Sequence, residues 1–241
     1  MMVNQAYYQE LIAACGQEGC PLCRMEQTTV EKALKGLFFE LTNDIQLREQ
    51  LRTSFGFCKE HARLTFEHGK GDALGVSIIY HDVITNILRK LPNPAQAGTA
   101  GGGLPGLLQR SRRGLGELVA AAVKALTPQR RCMLCHHEEE TRQAAVKVVA
   151  GSMRDEEFQR ALEKSDGLCL AHLRLVLEAV PDAESCAALL AISRAQMEAL
   201  DAELAEFIRK NDYRFRDEGF GSEGDAWKRA LNKISSKTPT S

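Results

Sequence analysis

Two copies of one metal-ligand pattern run through this chain: Cys20-x2-Cys23 followed by Cys58-x2-His61, then Cys132-x2-Cys135 followed by Cys169-x2-His172. The copies superpose at an offset of 112 residues for the paired cysteines and 111 for the later Cys and His, with gaps of 34 and 33 residues inside them. Three thiolates and one imidazole complete a tetrahedral shell for zinc and leave no open position. The spacing predicts one closed Cys3His site in each copy, Cys20, Cys23, Cys58 and His61 in the first and Cys132, Cys135, Cys169 and His172 in the second. Each chain is thus expected to hold two Zn2+ ions. An isolated CxxH would be read as a hydrogen-bonded core histidine; its recurrence with the same partners reverses that judgement.

Local chemistry fits ligation. Gly56 and Gly167 stand two residues before Cys58 and Cys169, where a glycine at positive φ can end one helix and turn the chain into the next. With each Cys near the start of the new helix, His61 and His172 lie at i+3 on the same face, so both side chains reach one ion. The CxxC pairs are expected just before helices, whose N-terminal N–H groups and dipole stabilise thiolates.

Other uses of these residues are weaker. Cys20-Pro21-Leu22-Cys23 has the form of a thiol redox motif, but no βαβ pattern surrounds it or its counterpart. Cys132 to His136 matches the haem-attachment string CxxCH, whereas the first copy has Arg24 at that place. Cys15, Cys20, Cys23 and Cys58 follow a ferredoxin-like order, but Thr127 replaces the extra cysteine in the second copy. An iron-sulfur or thiol-based redox or sensor protein is therefore the alternative reading. Cys15 and Cys186 fall outside the repeat and are expected to act as small buried hydrophobes. His136 and His137 are read as helix-surface residues. Arg110, Arg112, Arg113, Lys124, Arg130 and Arg131 are read as a solvated basic face, since no aromatic platform accompanies them.

The 241 residues, 31 basic and 32 acidic, carry a formal charge of -1; two Zn2+ on six thiolates would bring it to about -3. That balance gives no global attraction to nucleic acid or an anionic membrane. The N-terminus lacks a basic region and a continuous apolar run, so export is not expected and a reducing cytoplasm favours thiolates over disulfides.

Helical periodicity dominates the chain. Val30, Ala33, Leu34, Leu37, Phe38, Leu41 and Ile45 form one apolar stripe after Cys23, and Val76, Ile79, Val83, Ile87 and Leu91 a second. Leu190, Met197 and Leu204 interleave with Ser193, Leu200 and Phe207 along a helix from about 183 to 209. Gly151 and Ser152 are expected to interrupt the helix after Cys135, leaving its counterpart after Cys23 longer. The predicted fold is all-α, a duplicated helical unit with each half organised around a Cys3His metal site. The halves are 1–91 and 107–211, joined by a Pro/Gly-rich linker at 92–106 and followed by a C-terminal clasp or tail at 212–241. In that tail, Ser222 and Asp225 are candidate caps for a short helix carrying Trp227 and Leu231, and the residues after Ser235 are expected to fray.

The CPLC and GFCKEH motifs, the second CMLC with GLCLAH, and the closing DYRF…W segment resemble a family of uncharacterised bacterial proteins classed as a domain of unknown function. The resemblance spans Cys20 to about Leu231, implies a bacterial cytoplasmic setting and brings no activity with it. The second copy departs in having CMLC for CPLC and GLC for GFC. No nucleophile-base pair or phosphate-binding loop can be read from the residues. The expected role is a non-catalytic binding or adaptor module whose partner is another protein, rather than a membrane or nucleic acid.

Overall fold

The computed structural model describes residues 5–39, 44–67, 72–93 and 107–235. Within them the regular structure is helical: α1 (Gln5–Cys15), α2 (Pro21–Phe39), α3 (Ile45–Ser54), α4 (Lys59–Glu67), α5 (Ala73–Lys90), α6 (Leu107–Ala125), α7 (Met133–Ser152), α8 (Glu156–Lys164), α9 (Leu170–Ala179), α10 (Ala183–Lys210) and α11 (Ala226–Ile234). Two 3-10 turns, Tyr213–Glu218 and Ser222–Asp225, precede α11. Aspartates open several helices. Asp44, Asp72, Asp155 and Asp182 each accept a hydrogen bond from a first-turn N–H of α3, α5, α8 and α10, satisfying donors that the helix itself leaves unpaired.

The chain forms two compact units, but not in sequence order. One comprises Met1–Thr29 with Glu138–Ser241, the other Val30–His137. This corrects the expectation of sequential halves at 1–91 and 107–211. The physical reason lies in α2 and α7, which contribute to both cores in opposite order: α2 places Leu22 and Met25 in the first core and Val30 and Leu34 in the second, and α7 places Leu134 in the second and Val146 and Val149 in the first. The tail from 212 belongs to the first unit, and most of the expected linker, 94–106, lies outside the described residues.

In the first unit, Leu11, Leu22, Met25, Val149, Met153, Phe158, Leu162, Leu168, Val176 and Leu189 form one buried cluster. The ring of Tyr8 packs on Phe158, and its hydroxyl donates to the α8 cap Asp155 at 2.9 Å. Helix α10 buries Ser185, Leu189, Ile192 and Ser193. Leu190 and Met197, expected on the packed seam, face solvent, because the side of α10 that meets α8 and α11 is the one carrying Gln196 and Glu203. The tail folds back on α10. Phe207 stacks on Phe220, Arg209 lies 4.5 Å over Phe215, Lys210 reaches Glu223 at 2.7 Å, and Arg229 reaches Glu203 at 2.6 Å. Asp225 stands at the α11 N-cap without a capping hydrogen bond and binds Arg229 instead.

In the second unit, Val30, Leu34, Leu37 and Phe38 of α2 pack with Leu47 and Leu51 of α3, Phe57, Ile79 and Val83 of α5, and Leu134. Arg52 and Arg48 of α3 pair with Asp82 of α5 at 2.8 and 3.3 Å. Ile45 does not continue the α2 stripe, since Asp44 caps a new helix and leaves it exposed; Leu41 lies outside the described residues. Helix α7 ends at Ser152, as the glycine there implies, whereas the residues that follow Phe39 of α2 lie outside the described residues.

Phe158 is fully buried and Phe66 is 72% exposed, so the same substitution should have unlike effects. Phe158→Ala should lower stability by about 3–5 kcal/mol, and Phe66→Ala should leave it within about 0.5 kcal/mol, as measured by urea denaturation.

Candidate metal centres

Four helix N-termini carry the eight ligand residues. Cys20 and Cys132 stand immediately before α2 and α7, Cys58 and Cys169 immediately before α4 and α9, and each of the four carbonyls accepts the first intrahelical bond. Pro21 opens α2, where its missing N–H costs nothing. The residue between the paired cysteines that follows, Leu22 or Leu134, is fully buried and anchors the turn in its core. Phe57 and Leu168, just before the later cysteines, are buried in the same two cores. Gly56 and Gly167 take positive φ, 81° and 74°, as the turn requires.

The structure gathers all eight predicted residues into two Cys3His sets, but with their partners exchanged. Cys20 and Cys23 meet Cys169 and His172, and Cys132 and Cys135 meet Cys58 and His61. Each CxxC of one copy therefore closes with the CxxH of the other, which corrects the expected grouping within copies. Each set lies inside one compact unit. In the first, Cys20, Cys23 and Cys169 Sγ stand 3.4, 3.4 and 3.2 Å from His172 Nδ1, and Cys23 and Cys169 Sγ are 3.8 Å apart. In the second, Cys58, Cys132 and Cys135 Sγ stand 3.2, 3.6 and 3.4 Å from His61 Nδ1, and Cys58 and Cys135 Sγ are 3.6 Å apart. Tetrahedral zinc with its usual bond lengths places sulfurs about 3.8 Å from one another and about 3.6 Å from nitrogen. The donor sets fit that ion.

The bare groups are in electrostatic conflict. Hydrogen bonds from Cys20 and Cys23, aided by His172 and opposed by burial, hold Cys169 well below the ordinary thiol range. Hydrogen bonds to Cys169 and Cys20, with burial, push Cys23 far above it. Burial raises Cys132, but the His61 hydrogen bond and the N–H groups of Cys58, Cys135 and Leu134 outweigh it and hold this thiol at about 6. Cys135 is pushed up to about 12 by burial and then by the charges of Cys132 and Cys58. A divalent cation relieves this conflict by accepting every thiolate at once.

Beyond the ligands, Glu26 organises the first centre. His172 Nε2 donates to Glu26 Oε1 at 3.0 Å, which leaves Nδ1 facing the sulfurs, and Arg142 Nε donates to the same oxygen at 2.6 Å. An outer carboxylate of this kind orients a metal-bound imidazole. Sequence reasoning missed both residues. A signal for Glu26 was present, because it stands three residues after Cys23 and Glu138 stands three residues after Cys135. Thr29 and Thr141, which stand at the same offset of 112 residues, touch through their hydroxyls at 3.1 Å.

The remaining candidates stay outside the centres. Cys15 is buried in the first core, its thiol pushed up to about 11 by burial and the Cys20 charge. Cys186 lies half-buried on α10, and His136, Lys124, Arg130 and Arg131 are exposed. The side chains of Arg110, Arg112 and Arg113 lie outside the described residues.

A family description matches residues 5–241, nearly the whole chain and both copies of the motif. The chain belongs to the family of unknown function DUF6062. It is also similar to the uncharacterized 23.9 kDa protein in xynA 3'region of Caldicellulosiruptor sp. (strain Rt8B.4), with 23% identity over 199 residues, 82% of this chain and 85% of the relative. No solved structure matches the chain.

The exchanged grouping is open to a direct chemical test. Mild oxidation of metal-free protein should give peptides linking Cys23 to Cys169 and Cys58 to Cys135, whose sulfurs lie 3.8 and 3.6 Å apart. Peptide mapping that instead recovered Cys23 joined to Cys58 would contradict it.

Proposed function

We propose that this DUF6062 protein is a non-catalytic, zinc-stabilised helical binding module with two structural Cys3His centres. The observation that carries this reading is the spacing of the donors, 3.2 to 3.8 Å in both sets, which suits one tetrahedral ion rather than a cluster of several irons. Cys15, which a ferredoxin-like set would need, packs with the core and belongs to neither donor set. Four protein ligands saturate zinc and leave no position for substrate or activated water. The ion's contribution is to folding. Structural zinc supplies ~10 kcal/mol or more of apparent binding free energy, here closing loops that run between the two copies.

A protein partner suits the outer side of α11. Trp227, Leu231 and Ile234, at i, i+4 and i+7, are exposed while Ala226 and Lys233 are buried. An apolar strip with a tryptophan on a helix held to the core through Ala226 and Lys233 has the composition of a contact surface. No helix among the described residues is long and apolar enough to cross a membrane.

Elemental analysis of protein purified without added metal should find about two zinc per chain, and paired substitutions identify which cysteines share an ion. Cys20→Ser with Cys169→Ser should remove one ion, and Cys20→Ser with Cys58→Ser should remove both. The reverse outcome would restore the within-copy grouping. Stoichiometric iron and acid-labile sulfide after anaerobic purification would replace zinc by a redox cluster.

A further inference from the structure

The two turns that carry the CxxH ligands share a backbone form but are covered by different side chains. Over Gly56, the place of a Cβ is filled by the Tyr80 ring, 2.9 Å away, whose hydroxyl accepts a hydrogen bond from Phe57 N at 3.2 Å. Over Gly167, it is filled by Gln196 Oε1 and by Lys233 Nζ, at 1.9 and 2.8 Å from where a Cβ would stand. The second centre's turn thus meets a neutral phenol, and the first centre's turn meets an ammonium brought by the last helix.

Lys233 is 8% exposed, and a buried ammonium is costly unless an opposite charge compensates it. Its Nζ donates to the Asp166 carbonyl at 2.7 Å, a neutral partner three residues before Cys169. The Asp166 carboxylate accepts from Gly19 N at 2.5 Å, and its charge, with those of Cys20 and Cys169, opposes the effect of burial on Lys233; Glu203 is paired with Arg229. Among the described residues no carboxylate stands at ion-pair distance from Lys233. It lines a cleft of about 220 Å³ whose wall includes the ligands Cys20 and Cys169. A divalent ion on three thiolates carries a net charge of −1, Arg142 is already shared between Glu26 and Glu139, and Lys233 is the buried cation that faces this charge from α11.

We propose that Lys233 is the counter-ion of the metal–thiolate centre in the first unit, so that α11 and the bound ion hold each other in place. This inference rests on the zinc reading above. Binding fixes three thiolate charges beside the buried ammonium, and the coupling is reciprocal: what the lysine adds to metal affinity, the metal adds to the docking of α11. The second centre, covered by Tyr80, has no such link to the tail.

The test uses the full chain and two readouts. Native mass spectrometry during titration with a zinc chelator counts retained ions in wild type, Lys233→Met and Lys233→Arg. Hydrogen exchange of amides 226–234 reports whether α11 is docked. Lys233→Met, which keeps the apolar stem, should release one of its two ions at about 10- to 100-fold lower chelator concentration, and Lys233→Arg should hold both nearly as wild type does. Stripping zinc from wild type should speed exchange in α11. The inference is overturned if Lys233→Met holds both ions as wild type does, if Lys233→Arg loses the ion as readily as Lys233→Met, or if exchange in α11 is unchanged by metal removal. Wild-type protein with no bound metal would overturn the zinc reading itself, an outcome distinct from two firmly held ions that ignore Lys233.

Discussion

A CxxC from one copy of the repeat and a CxxH from the other converge on each Cys3His set, and the remaining structure is arranged around that exchange. Cys23 lies 146 residues from Cys169, and Cys58 lies 77 from Cys135, so each centre closes a long loop at a cluster of helix N-termini. The turns between are seated by buried neighbours, Leu22 and Leu168 in the first unit and Leu134 and Phe57 in the second. Ligand turns anchored in apolar cores have fewer conformations open to them, which lowers the ordering cost of bringing their donors together.

The two centres are equivalent in ligands but differ in surroundings. Around the first, Glu26, Arg142 and Lys233 are all buried, an ionic environment that is stable only if the charges offset one another. Around the second, the turn at Gly56 is capped by an aromatic ring. Lys233 comes from α11, the helix that also carries the exposed Trp227, Leu231 and Ile234. The two Cys3His sets thus share one donor composition in distinct environments.

Much of the helical fold was legible in sequence because amphipathic spacing encodes it locally. The stripe Val76 to Ile87 and the long helix ending near Arg209 appear where expected. Errors fell where a short-range signal lost to packing. Ile45 fits the period of α2, but Asp44 begins another helix. Leu190 and Met197 fit a heptad, but the side of α10 carrying Gln196 turns to the core. Glu26 was overlooked because a lone acidic residue on a helix is ordinarily solvated; the positions of His172 and Arg142 give it partners.

The sequence by itself marked the eight Cys and His residues that the structure gathers into two Cys3His sets, because CxxC and CxxH bring donors together through local helix geometry alone. It did not determine which pair meets which. All four pairs offer the same chemistry, and loop-closure entropy separates a gap of 34 residues from one of 146 by only about 1 kcal/mol. The choice fell to the packing of the anchoring residues. Leu22 shares its core with Leu168, and Leu134 shares its core with Phe57, so burial of these four side chains outweighs the small entropic preference for the shorter loops and seats each cysteine pair opposite the histidine of the other copy.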